Sequence, residues 1–205
     1  MKNRRILIES VLVCLVLLGL AACTPTPPEN IYWEPDGSGF IRFRTDDPAN
    51  AAQGFVKLYP LTQEDPMTTP VEVTVKKILG SVGGGFGVVF CALDEQNYFK
   101  VLITVGKMYK ITRVIAGGDT LLKDWTRSTD LMADWGYENT LKITHGGGMF
   151  NLSFNAGTEP PITFPDSGVA KGQSGFYAYV STAANEYENG WVDVRFKMFT
   201  PVVIP

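Results

Sequence analysis

The chain has 205 residues, 18 basic against 21 acidic side chains, a net formal charge of −3 and a single histidine. With no basic cluster it offers no electrostatic footprint for nucleic acid, and one histidine is a poor start for a zinc centre or a Ser-His-Asp triad. A domain of this length buries enough surface to stand without disulfide staples.

Lys2, Arg4 and Arg5 precede an apolar run over 11–20. About ten apolar residues are too few to span a bilayer, which needs roughly 20. A basic head, a short apolar core and small residues predict a secretory signal peptide over 1–22. Leu20-Ala21-Ala22-Cys23 resembles the lipobox of bacterial lipoproteins, which implies cleavage before Cys23 and lipid on that residue. The alternative is an ordinary signal peptide with a chance cysteine. Thr24 after the cysteine resembles an outer-membrane address in a Gram-negative host. The expected product is a lipid-anchored envelope protein with a short Pro-rich spacer over 23–30 and one domain over 31–205. Cys14 leaves with the leader and Cys23 carries lipid, so Cys91 stands alone. No internal disulfide is expected, and Cys91, between Phe90 and Ala92, reads as a small buried hydrophobe.

Past the spacer, 40–44 (FIRFR) alternates and 55–59 is a short strand stopped by Pro60. A loop with two prolines follows. Then 71–79 (VEVTVKKIL) alternates Val71, Val73 and Val75 with Glu72, Thr74 and Lys76, a half-buried strand. The stretch 87–116 organises the chain as three strands, with turns at 94–97 and 106–107. In the third, Tyr109, Ile111, Arg113 and Ile115 alternate with Met108, Lys110, Thr112 and Val114, which predicts one buried and one mixed face. A fourth strand of this meander is expected over 120–125. The segment 126–138 reads as irregular, with one helical turn at Leu131-Met132-Ala133. Strands follow at 139–145, 149–154, 175–182 and 191–199, with long loops at 158–172 and 183–190. About eleven strands and no convincing helix predict two antiparallel sheets packed face to face.

GVVFCALDEQNYFKVLIT, Trp125-Thr126, Asn139-Thr140-Leu141-Lys142-Ile143, MFNLSFNAG, Ser174-Gly175-Phe176-Tyr177 and VDVRFKMF together resemble concanavalin A-like lectin and glucanase domains. The resemblance covers about 71–199 and is nearest the laminin-G-like and 3-keto-disaccharide-hydrolase-like branches. It implies an all-β jelly-roll sandwich of two antiparallel sheets. Two departures stand out: Asn155-Ala156-Gly157 replaces the usual Asn-Gly hairpin end, and Val192-Asp193-Val194-Arg195-Phe196 matches the closing strand only approximately. One fold of this kind hosts many functions.

Retaining glycoside hydrolysis needs two carboxyl groups about 5–5.5 Å apart. The Glu-x-Asp-x-x-Glu pattern of laminarinase-like relatives is absent from this sequence. Asp94-Glu95 sits in a turn and points apart, and Glu186 with Glu188 lies in a polar loop. His145 reads as a solvated turn residue. The Gly runs at 83–85 and 146–148 read as turns, because no helix follows to bind a phosphate. The resemblance also implies calcium, with Asp94, Asn97, Asn185, Glu188 and Asn189 as candidate ligands; a solvated acidic turn is the alternative.

The aromatic residues carry the functional expectation. Trp125, Trp135, Tyr137 and Trp191 flank loops or strand ends, where sugar rings can stack on them, and Asp124, Asp134 and Asn139 are candidate hydroxyl partners. Trp125 and Trp191 read rather as plugs for the ends of the sandwich core, whereas Trp135 and Tyr137 read equally either way. The expected function is non-catalytic glycan binding by a membrane-anchored lipoprotein. The alternatives are a hydrolase of a modified sugar and an adhesive protein that contacts another protein.

Overall fold

A computed structural model describes residues 32–59, 70–167, 172–181 and 192–199. Thirteen strands run through them: β1 (Tyr32–Pro35), β2 (Ile41–Thr45), β3 (Gln53–Tyr59), β4 (Val71–Leu79), β5 (Phe86–Asp94), β6 (Asn97–Ile103), β7 (Met108–Ile115), β8 (Gly118–Arg127), β9 (Asn139–Gly146), β10 (Met149–Phe154), β11 (Ile162–Pro165), β12 (Gln173–Val180) and β13 (Val192–Phe199). They form a seven-stranded sheet, β1-β2-β13-β4-β9-β10-β11, and a six-stranded sheet, β3-β12-β5-β6-β7-β8. Every pairing is antiparallel. The expected two-sheet jelly-roll sandwich is therefore the fold. Two short strands, β1 and β11, join those read from sequence. Both are flanked by prolines and paired on one side only, which is where proline costs no ladder hydrogen bond.

The interior is aromatic, and its rings bridge the layers. Phe90 and Phe99 of the six-stranded sheet meet Phe150 of the other edge-on at 5.0 and 5.2 Å between centroids. Phe176 stacks on Phe196 at 4.9 Å, Phe55 on Phe43 at 5.4 Å, and Tyr109 meets Phe154 at 5.2 Å. Trp33 closes one side against Phe43 and Phe196. Offset and edge-to-face pairs of this kind add about 0.5–1.5 kcal/mol each beyond the burial of their area. Cys91 is buried in this interior, as expected.

Alternation in β7 holds to its last residue and then fails. Tyr109 and Ile111 are enclosed, but Ile115 is 47 % exposed. It is the final residue before a turn in which Ala116 and Gly117 both have positive φ, so no opposing strand covers it. Arg113, in phase with the inward set, is half-buried and lays its guanidinium over the Phe99 ring. The expectation of one buried and one mixed face also needs correction. Thr112 and Val114 are buried too, because the outer face of the six-stranded sheet carries a second apolar cluster of Val89, Ala92, Tyr98, Leu102, Val114 and Tyr177. The unbroken buried run Phe86 to Ala92 is its signature, since a strand enclosed on both faces loses the two-residue period.

Leu131 is wholly buried in the core, but Leu131-Met132-Ala133 forms bends rather than the expected helical turn. The Asn139 side chain takes both Met132 main-chain groups, at 2.7 Å from its amide and 3.2 Å to its carbonyl. A side chain that serves the backbone in this way removes the need for helical bonds.

Phe90→Ala is expected to cost about 3–5 kcal/mol in urea unfolding, whereas Leu93→Ala, 64 % exposed at the end of the same strand, stays within about 0.5 kcal/mol.

Candidate functional site

Strand pairing places outer-face residues in rows across the six-stranded sheet. Val56, Tyr177, Gly87, Leu102 and Lys110 make one row; Leu58, Gly175, Val89, Lys100, Thr112 and Leu121 make the next. Lys100 is 5 % exposed. Its amine lies 2.9 Å from an Asp119 carboxylate oxygen and 4.5 Å over the Tyr177 ring. A buried ammonium needs this pairing, because an uncompensated charge there costs several kcal/mol. The Tyr177 hydroxyl fills the space above Gly54, where a Cβ would stand 1.8 Å away. Burial first, then the Asp119 charge, pushes the Tyr98 hydroxyl up to about 12 and raises Tyr177 as well. This part of the face is a closed polar-apolar plug.

The face opens at β8. Register shifts between Tyr109, Ile111 and Thr112 mark bulges where β7 meets β8, and bulges sharpen local twist. They bring the Trp125 ring to within 3.2 Å of the Cβ position at Gly85, beside Leu102. Lys110 Nζ stands 5.9 Å from the ring centroid. Trp125 is 37 % exposed, so it is a platform supported from below rather than a core plug. The Asp124 carboxylate accepts the Trp125 amide at 2.8 Å, and Leu121 and Asp119 are exposed on the same strand. Lys110 carries no signal in sequence; only the fold brings it beside the tryptophan.

The other expected ligand residues go elsewhere. Trp135 and Tyr137, 43 % and 52 % exposed, lie on the segment between β8 and β9, at one end of the sandwich. Trp135 Nε1 donates to the Gly80 carbonyl at 2.9 Å, the Gly136 amide to the Lys77 carbonyl, and the Asp134 amide to the Val105 carbonyl. Asn139 is not available to a ligand as expected: it is 3 % exposed, and both its side-chain atoms are engaged by Met132. Trp191 and Cys23 lie outside the described residues.

Buried polar groups fix that end. Lys77 continues the inward phase of Val73 and Val75. It is 1 % exposed and donates from Nζ to the Ser81 carbonyl at 2.8 Å. Asp130 receives the Thr158 and Glu159 amides at 3.1 and 2.9 Å. In return Glu159 accepts the Ser128 hydroxyl and the Thr129 amide and hydroxyl, the latter two at 3.0 and 2.7 Å. A Cβ at Gly157 would collide with the Asp130 carboxylate. The Ser128 hydroxyl, followed by the Thr129 donors, lowers the Glu159 carboxyl to about 2.

His145 is part-buried rather than solvated: its Nε2 pairs with Asp166 at 2.9 Å and its ring packs on Phe150. The turn between β5 and β6 is tied together by its own side chains. Asp94 accepts the Gln96 amide at 2.7 Å and the Asn97 side-chain nitrogen at 2.9 Å, while Asn97 Oδ1 takes the Ala116 amide. Their oxygens already serve the turn. The Gln96 amide, then Asn97, holds the Asp94 carboxyl below its usual range. Asn185, Glu188 and Asn189 lie outside the described residues. Among the described residues, no three His, Cys, Asp or Glu side chains gather as a metal site.

Glu159 is expected to titrate near 2 by carboxyl NMR. Its folded value is depressed below the unfolded value of about 4.5, so its stabilising contribution is complete above that value and is lost as pH falls towards 2. Ser128→Ala should move the midpoint upward.

No protein-family model matches the chain, and no curated protein matches it. Solved structures do. A xylan β-1,4-xylosidase from Bacillus halodurans C-125 is similar at 14 % identity and a TM-score of 0.53, over 85 % of this chain and 35 % of that one. Looser likenesses are carbohydrate-binding module CBM66 from Bacillus subtilis (13 %, TM-score 0.48, 78 % of this chain and 79 % of that) and CG-16, a homodimeric agglutinin from chicken liver (15 %, TM-score 0.42, 72 % and 97 %). This chain spans about a third of the xylosidase. At such identities the likeness shows the fold alone, a two-sheet antiparallel β-sandwich.

Proposed function

We propose that the protein is an envelope lipoprotein that binds a glycan, without cleaving it, at the open edge of the six-stranded sheet. The Trp125 platform carries this reading. Its ring is held from beneath by Leu102 and the bare backbone at Gly85, with one cation beside it. A sugar presents an apolar face to such a ring and hydroxyl groups to the polar atoms around it, here Lys110 and Asp124. A platform on paired strands is also positioned more rigidly than one on a loop. Cys23 supports anchoring by its place after Leu20-Ala21-Ala22. The hydrolase reading would need a carboxylate pair, and Glu186 with Glu188, the spaced pair in the sequence, lies outside the described residues.

On a glycan array, Trp125→Ala is expected to weaken binding at least tenfold, about 1.4 kcal/mol, while Trp135→Ala leaves it unchanged. Binding unaffected by Trp125→Ala removes this site, and sugar release from a polysaccharide panel replaces binding with hydrolysis. Cys23→Ser should move the protein from the membrane to the soluble fraction; retention in the membrane removes the lipid anchor.

A further inference from the structure

We propose that one end of the sandwich is a membrane-facing surface, with Trp135, Tyr137, Met132 and Val82 seated at the lipid headgroup level. This rests on the reading of Cys23 as a lipid anchor. Pairing across the seven-stranded sheet sets Tyr32, Arg44, Asp193 and Leu79 side by side. The first described residue of the domain therefore emerges at the end where β4 finishes. The loop after β4 carries Val82, and hydrogen bonds from Trp135 to Gly80 and from Gly136 to Lys77 hold the 128–138 segment against it. Val82, Met132, Trp135 and Tyr137 are all 43–52 % exposed there. A chain from Cys23 to Tyr32 reaches at most about 30 Å when fully extended, so a lipid on Cys23 keeps this end near the bilayer.

The chemistry suits that position. Tryptophan and tyrosine concentrate at membrane–water interfaces, where an apolar ring and a polar tip are both satisfied. The Trp135 indole N–H already has a carbonyl partner. Lys107, Asp134 and Glu138 give the end charges of both signs, so adsorption depends on the apolar side chains and survives high salt. Among the described side chains, the opposite end exposes Leu93 and Ile115 and no aromatic ring, and it supplies the control.

The full lipidated chain would be reconstituted in phosphatidylethanolamine–phosphatidylglycerol vesicles with an environment-sensitive fluorophore on Val82→Cys or on Leu93→Cys. The native Cys91 is 1 % exposed and does not react. The label at 82 is expected to shift to the blue and brighten severalfold, and to lose at least half of that gain with Trp135→Ser and Tyr137→Ser; the label at 93 stays as in water. If the chain floats with the vesicles but both labels remain water-like, or both shift alike, the surface is wrong and the anchor stands. If the chain neither floats nor carries acyl mass at Cys23, anchor and surface fall together.

Discussion

Contact between aromatic rings across the two layers is the constraint on which the remaining structure depends. Successive side chains of a strand point to opposite faces, so each Phe that enters the interior fixes the phase of its whole strand. Phe90 and Phe99 are locked by Phe150 from the other sheet, and a slip of one residue would turn either out into water. The same locking sets the outer face. Once Phe99, Val101 and Ile103 are inside, Tyr98, Lys100 and Leu102 must be outside, where Tyr98 and Leu102 join the second cluster and Lys100 lies over its Tyr177 ring.

Loops at the end bearing the tryptophans are ordered by a different force. They contain no helix and little apolar interior, so their main-chain groups depend on side chains for partners. Lys77 serves Ser81, Asn139 serves Met132, and Asp130 and Glu159 serve each other's loops. Lys77 and Asn139 are themselves buried, and leaving such a group unpaired would cost about 1–3 kcal/mol. The ordering lets Trp135 and Tyr137 project outward without collapsing onto the core, which a surface for lipid requires.

The two aromatic settings do different work. Trp125 stands on a paired strand beside a lysine, over glycine and leucine. Trp135 and Tyr137 sit on a loop at the end of the sandwich where β1 begins.

The amino-acid order by itself determined the strands other than β1 and β11 and the all-β sandwich, because alternation of Val, Ile and Phe with polar residues is a local property that two faces of a sheet impose. It also marked Cys91 as buried and Trp125 as a site of interest. Only the tertiary structure decided that Asn139 turns inward, that Asp94 and Asn97 satisfy each other, that Lys110 stands by Trp125, and that β1 begins beside the end of β4. Those facts depend on which strands become neighbours and in what register. Neighbours distant in sequence are chosen by packing across the whole interior, a sum that no short window of the chain contains.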